Sequence, residues 1–378
     1  MSSKQGKFII GLTGNIGTGK TVVRRMLEHL GAYTIDADGL SHRASARGAP
    51  GFEPVVQTFG KWILNTEGEI DRGKLGTLVF RDPAALARLE EIVHPLVRQA
   101  VDILIRRAQQ PVVVIEAIKL LEGELAKLCD SVWVTYAPPL VQMERLTRKR
   151  NMNREEALQR VNSQGAQTQK IAVANVVIRN VGSYDDLWNQ VAEAWKQHIP
   201  VSLPSDVAVT REVEAGKFSV ARGRPKDSDV IAALISRLSA GKRALTAEDV
   251  MAQFGEKAYM LLQLDQAPVG IAGWQVENLV VRTTDLYLEP GIDIEMGLEK
   301  LITEIEQVSG DLQCEAALVF PTPELAGNSE IWARLGYEQR RPDDLGVQAW
   351  TDAAKESMPG ESLLWFRQLR KDRVLRPI

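Results

Sequence analysis

The chain has 378 residues, 44% of them hydrophobic and 25% charged, a length that suggests two domains and a composition that excludes long disorder and fibrous repeats. Lys and Arg against Asp and Glu count 26 to 21 over residues 1–200 (net +5) and 20 to 28 over residues 201–378 (net −8). The basic half suits anionic ligands, but its excess is far from the footprint of a nucleic-acid binder, so no nucleic-acid partner is expected. The N-terminus is polar and the first apolar run, Phe8 to Leu12, is too short for a signal peptide or a membrane span, so neither export nor a membrane partner is expected. Cys129 and Cys314 are far apart and outside any zinc spacing, which fits a reducing, cytoplasmic setting.

The first half alternates short β-branched runs with longer amphipathic patterns, which predicts βαβ units and a parallel sheet. The strands expected are Lys7 to Leu12, Tyr33 to Asp36, Pro111 to Ala117, Ser131 to Tyr136 and Val176 to Ile178. Helical patterns cover Lys20 to Leu30, Pro83 to Arg107, Pro139 to Arg150, Arg154 to Gly165 and Tyr184 to His198. A stretch with two prolines and no period, Ile199 to Val213, reads as a linker and divides the chain into domains at 1–200 and 214–378, with 201–213 between them. Beyond it the expected order is a strand at Phe218 to Arg222, helices at Ser228 to Ser239 and Thr246 to Phe254, and an antiparallel meander of Tyr259 to Asp265, Ala267 to Val276 and Leu279 to Leu288. A helix at Ile294 to Val308, a strand at Cys314 to Phe320, a helix at Asn328 to Leu335 and a strand at Ser362 to Leu369 complete the chain. The tryptophans of the first half, Trp62, Trp133, Trp188 and Trp195, fall in apolar patterns and are expected in the core.

The strongest chemical signal is Gly14-Asn15-Ile16-Gly17-Thr18-Gly19-Lys20-Thr21, a complete GxxxxGK[ST] between a strand and a helix. Its backbone N–H groups would wrap the phosphates of ATP, Lys20 would reach the β and γ oxygens, and Thr21 would offer its hydroxyl to Mg²⁺. Such a loop serves kinases, ATPases, GTPases and nucleotide-sensing switches alike, although the guanine-reading Asn-Lys-x-Asp of a GTPase is missing. Transfer to an alcohol needs a carboxylate to orient the nucleophile, and Asp36 or Asp38, at the carboxyl end of the second strand, is the candidate base. Glu116 ends a buried-strand pattern and would stand near the Mg²⁺ shell, while the basic run from Arg145 to Arg154 reads as a solvated face or as a lid, with Arg145 best placed over the phosphates. His94-Pro95 reads as a break in a helical pattern, with His94 a possible ligand contact.

Several further segments follow the P-loop in order: IDAD (35 to 38), HRASARGAPGF (42 to 52), FGKWILNTEGEIDRGKLGTLVF (59 to 80), LEEIVHPLV (89 to 97), LLE (120 to 122), ERLTRKR (144 to 150) and IRNVGS (178 to 183). With these, residues 7–200 resemble the dephospho-coenzyme A kinases. The resemblance implies a P-loop α/β fold and transfer of the ATP γ-phosphate to the ribose 3′-hydroxyl of dephospho-coenzyme A, the last step of coenzyme A synthesis. It implies Asp38 as the base, assisted by Lys20 and Arg145, a nucleotide site from Gly14 to Val22 with Asn180 near the adenine, and a lid at about 145–165. It also implies an acceptor-binding helical portion from Arg43 to His94; beside it, the residues themselves make Asp36, Arg43, His94 and Lys119 the expected substrate contacts, with Mg²⁺ expected at Thr21 and Glu116. Two departures stand out: Ile118-Lys119-Leu120-Leu121-Glu122 replaces the family's Pro-Leu-Leu-x-Glu, and Ala174-Asn175 its Ala-Asp. A kinase of another nucleoside or nucleotide, or a nucleotide-sensing module with a coenzyme A-responsive second domain, is the alternative.

The second half resembles, more loosely, the GNAT-type N-acetyltransferases, with Ile331-Trp332-Ala333-Arg334-Leu335-Gly336-Tyr337 near its end. That resemblance implies an α+β fold with a phosphate-cradling loop before the long helix. Here the loop is Pro290-Gly291-Ile292-Asp293-Ile294-Glu295-Met296-Gly297, in which Asp293 and Glu295 would repel phosphate at the helix N-terminus. A non-catalytic domain is expected, structural or oligomerising ahead of coenzyme A-sensing.

Overall fold

The computed structural model describes residues 6–150, 152–164, 167–200, 216–360, 362–371 and 374. The expected linker at 201–213 lies outside the described residues, as do 151 and 165 within the expected lid. The first half runs β1 (Phe8–Thr13), α1 (Lys20–His29), β2 (Tyr33–Asp36), α2 (Ala37–Ala44), α3 (Phe52–Phe59), α4 (Arg72–Arg81), α5 (Pro83–Arg107), β3 (Val112–Glu116), β4 (Ser131–Tyr136), α6 (Pro139–Arg150), α7 (Arg154–Ser163), α8 (Gln167–Ala172), β5 (Val176–Arg179) and α9 (Tyr184–His198). Its five strands are all parallel, in the order β2-β3-β1-β4-β5. Helices cover both faces, which is why a run such as Val112-Val113-Val114-Ile115-Glu116 is buried at every position.

Local chemistry sets the helix starts. Asp36, Asp71 and Asp82 cap α2, α4 and α5 with their carboxylates, and Ser183 and Asp186 form a reciprocal box at α9. The helical pattern expected to break at His94-Pro95 does not break: α5 runs through Pro95. Pro95 and His94 lie on the exposed face, where a lost hydrogen bond is made up by water, while Val93 and Val97 on either side are buried and hold the helix to the core. Trp133 and Trp195 are fully buried as expected, but Trp62 is 53% exposed, because it sits in a single turn of 3₁₀ helix outside the apolar layer.

The second half runs β6 (Phe218–Arg222), α10 (Ser228–Leu238), α11 (Ala247–Gln253), β7 (Ala258–Leu264), β8 (Ala267–Glu277), β9 (Val280–Leu288), α12 (Ile294–Asp311), β10 (Ala316–Val319), α13 (Pro323–Ala326), α14 (Ser329–Arg334), β11 (Glu338–Arg340), α15 (Gln348–Ser357) and β12 (Leu364–Gln368). These strands form a seven-stranded mixed sheet ordered β11-β12-β10-β9-β8-β7-β6, antiparallel except where β9 meets β10. One face buries α12 through Leu298, Leu301, Ile302 and Ile305, together with a stacked Trp332–Trp365 pair. The strand β11 and the helix α15 have no counterpart in the expected elements.

The two halves meet along one side of the kinase-like sheet. The β8–β9 hairpin turns on Asn278 and Leu279, both at positive φ (51° and 61°), the geometry of a type I′ turn. Asparagine accepts that conformation easily; leucine does so at a cost of about 1–2 kcal/mol. Leu279 is only 9% exposed and lies in the apolar cluster formed by β2, β3, α2 and α5, a burial that returns about 1.5–3 kcal/mol. Nearby, the Tyr33 hydroxyl donates to the Leu312 carbonyl (3.5 Å), and a His29 ring nitrogen lies 3.2 Å from the Phe254 carbonyl oxygen.

Candidate active site

The P-loop bridges β1 and α1. Gly14 has φ 154°, and a Cβ there would lie 2.2 Å from the Thr135 hydroxyl. Gly19 has φ 91°, and a Cβ there would lie 2.1 Å from the Asn180 amide nitrogen. The backbone therefore approaches β4 and the end of β5 as closely as only glycine permits. Lys20 is buried with its ammonium donating to the carbonyls of Gly14 (3.0 Å) and Asn15 (3.4 Å), folded back over the loop whose phosphates it would meet. The Thr18 hydroxyl is engaged inside the loop with Asn15 and Thr135. Ile16 packs on Leu146, Ala157 and Val161 of α6 and α7, and its N–H donates to the Gln164 side chain (2.6 Å), so the tip of the loop is joined to α6 and α7. Val22 turns its side chain to the apolar cluster behind α1, and only its first-turn N–H remains to face a phosphate.

Arg145 and Asn180 close the rim. The Arg145 guanidinium donates to the Gly17 carbonyl (3.1 Å) and to both oxygens of Asn180, while the Asn180 amide donates to the Thr18 carbonyl (3.0 Å). Among the described side chains of the basic run, Arg145 is thus the cation that touches the loop itself.

Three carboxylates stand at the carboxyl ends of β2 and β3. Asp36 and Glu116 are register partners on adjacent strands. Asp36 accepts from the Gly39 N–H (2.9 Å) as the cap of α2. Glu116 is buried, accepts from the Thr21 hydroxyl (3.3 Å), and is paired with Arg24 (2.7 Å), which also bonds Glu28 and Thr34. Asp38, in the first turn of α2, accepts from the Ile118 N–H (3.1 Å). Burial and the neighbouring Asp36 push its carboxyl up to about 6, with Lys20 and the Ile118 N–H acting in the opposite direction. Ile118 stands where the resemblance expects proline, and a proline would have no N–H to give.

Some of these groups carry no signal in the sequence. Lys170 reaches from α8 to donate to the Ile118 carbonyl (2.8 Å); burial lowers its ammonium's affinity for a proton, partly offset by Glu122 and Asp38. His42, on α2, is depressed by burial and by Arg72, and feels Asp36. Arg24 was the more legible, lying three residues after Thr21 on the same face of α1.

Two expected substrate contacts, Arg43 and Lys119, are engaged elsewhere, and a third, His94, is exposed. The Arg43 guanidinium turns to the second half and bonds the Asn278 carbonyl (2.7 Å) and Glu315 (2.5 Å). Lys119 pairs with Glu90 (2.7 Å) at the surface, and His94 lies one turn along from Glu90 on the exposed face of α5. Among the described residues, no group of three or more His, Cys, Asp or Glu could by itself hold a metal, and no helix is long and apolar enough to cross a membrane.

Comparison with known proteins agrees with this geometry. The sequence model of the family described as dephospho-CoA kinase matches residues 8–186. A dephospho-CoA kinase of Thermobifida fusca is 40% identical over 189 residues, 50% of this chain and 94% of that protein. One of Geobacter sulfurreducens is 39% identical over 195 residues, 51% of this chain and 99% of that protein. Over the remainder, the solved structure of a GNAT-family acetyltransferase of Staphylococcus aureus covers 41% of this chain and all of its own, at 10% identity and a TM-score of 0.32.

Proposed function

This chain belongs to the dephospho-coenzyme A kinase family, and on that premise we propose how its residues carry out the transfer of the ATP γ-phosphoryl group to the ribose 3′-hydroxyl of dephospho-coenzyme A. Asp38 accepts the hydroxyl proton. The observation that carries this assignment is its placement: a carboxylate in the first turn of α2, oriented by the Ile118 N–H and within the field of Lys20, with its proton affinity raised to the range where a base works near neutral pH. Asp36 is already committed to capping α2 and serves to hold Asp38 in place.

Lys20 releases its loop carbonyls to bind the β and γ oxygens, the N–H groups of residues 14–22 enclose the phosphates, and Arg145, anchored on Gly17 and Asn180, offsets charge on the transferring group. Asn180 borders the adenine, and Arg43 to His94 form the acceptor side. Thr21 and Glu116 lie 3.3 Å apart at the loop's edge, a hydroxyl and a carboxylate that suit Mg²⁺, which takes most of its ligands from phosphate and water. When bound, Mg²⁺ neutralises charge between the β- and γ-phosphates.

Replacement of Asp38 by Asn tests the base directly. Turnover measured by coupled ADP release should fall about 10²–10⁴-fold with ATP affinity unchanged within about twofold; undiminished turnover removes Asp38 from that role.

The kinase region is 1–200 and the second domain 214–378, which we read as non-catalytic. What supports this is the start of α12, where the Asp293 carboxylate accepts from the Met296 N–H (3.0 Å) and Glu295 pairs with Arg334, filling the place where a pyrophosphate would bind. Calorimetric titration of the full chain with acetyl-coenzyme A should show no site beyond the acceptor site of the kinase; a second site would overturn the reading.

A further inference from the structure

Asp38 and Arg43 share one short helix, and the second half of the chain holds that helix at both ends. In its first turn, Gly39 lies against the Asn278 side chain so closely that a Cβ on Gly39 would come 2.0 Å from Asn278 Oδ1. In its last turn, the Arg43 guanidinium donates to the Asn278 carbonyl (2.7 Å) and to Glu315 Oε2 (2.5 Å). Glu315 is fully buried and fixed from two other directions, because its N–H donates to the Leu279 carbonyl (2.7 Å) and its Oε1 accepts from the Val374 N–H (3.1 Å). The hairpin tip and Glu315 are therefore one rigid clamp, anchored by Leu279 in the apolar cluster that α2 itself helps to form.

The curated relatives are matched over 94% and 99% of their own lengths by about half of this chain, so the clamp comes from a region those matches do not include. We propose that Asn278 and Glu315 of the second half are positioning residues of the kinase reaction, which set the placement of α2 and through it the orientation of the Asp38 carboxylate toward the acceptor hydroxyl. Among the described residues, no hydrogen bond joins either of them to residues 14–21, and the kinase-half charge that they meet is that of Arg43. Their effect is thus expected on the acceptor side and on the chemical step, and not on ATP.

The experiment uses the full chain with Asn278→Gly, which keeps the positive φ of the turn and removes the side chain facing Gly39, and with Glu315→Gln, which removes the charge opposite Arg43 but keeps the shape. Steady-state kinetics with ATP and dephospho-coenzyme A varied separately, over a range of pH, supply the readout. The expected result is a fall in kcat of about tenfold, as a displaced reacting group produces, with an altered acid limb in the pH profile and the KM for ATP within about twofold of the parent. Asn278→Gly leaves the buried ion pair intact and keeps the test decisive if Glu315→Gln does not fold. A folded Asn278→Gly protein with parental kcat, acceptor KM and pH profile overturns the proposal, and so does a loss confined to the KM for ATP.

Discussion

The start of α1 and the start of α12 are the same backbone device used in opposite ways. Each presents first-turn N–H groups and the positive end of a helix dipole. At α1 the cap is Gly19, with no side-chain bond and no acid in the first turn, and Lys20 and Thr21 follow it. At α12 the cap is Asp293, which bonds the Met296 N–H with its own carboxylate, and Glu295 follows it. One end is left open for an anion from solution, and the other is closed by an anion of the chain. The contrast separates a helix terminus whose first turn carries no side-chain cap from one whose own carboxylate has taken that place.

Breaking the open end should have the larger effect. Lys20→Ala removes the cation proposed to meet the β and γ oxygens, and kcat/KM should drop by about 10²–10³-fold in the ADP-release assay. The next prediction sharpens the chemistry at the same end. The proposed base must be ionised, and burial with the neighbouring Asp36 pushes the Asp38 carboxyl up to about 6, so kcat/KM should be flat near neutrality and fall as pH drops through that value. Ile118→Pro withdraws the N–H that favours the ionised form, so the acid limb should move to higher pH; a limb that stays in place would detach it from Asp38. The smallest effect is expected at the closed end. Asp293→Ala should lower stability by about 1 kcal/mol in urea unfolding, the usual cost of losing a cap, and leave turnover unchanged.

How much of this was legible in the sequence differs between the two ends of the argument. The P-loop, the strand-terminal Asp36 and Glu116, and the positions of most strands follow from local pattern, since glycine spacing and β-branched runs act over a few residues, whereas the order of strands within each sheet is set by long-range pairing. The helices α2, α3 and α4 did not stand out, because they are short and their apolar faces are completed by distant elements; the edge strand β11, Glu338–Arg340, is exposed throughout and has no apolar alternation to mark it. Ile118 meets Asp38 only through the fold, 80 residues away along the chain, and Lys170 in turn reaches the Ile118 carbonyl from 52 residues further on. Arg43 shows the limit most plainly: a basic residue in an acceptor-binding segment suggests a phosphate contact, yet its partner is a carboxylate 272 residues later. The sequence pattern of a solvated or ligand-facing arginine is the same as that of one waiting for a distant acid.

The buried Glu315 carboxylate has a consequence for how the molecule comes into being. During synthesis the first half emerges complete before residue 315 is made, and domains fold as units in that order. Glu315 then has a buried place to occupy only where Arg43 already offers its charge, since an unpaired acid in that position is strongly disfavoured. Its last partner, the Val374 N–H, arrives almost sixty residues afterwards. On this order of synthesis the first half offers Arg43 before Glu315 exists, and the bond to Val374 is the last of the contacts around that carboxylate to become available.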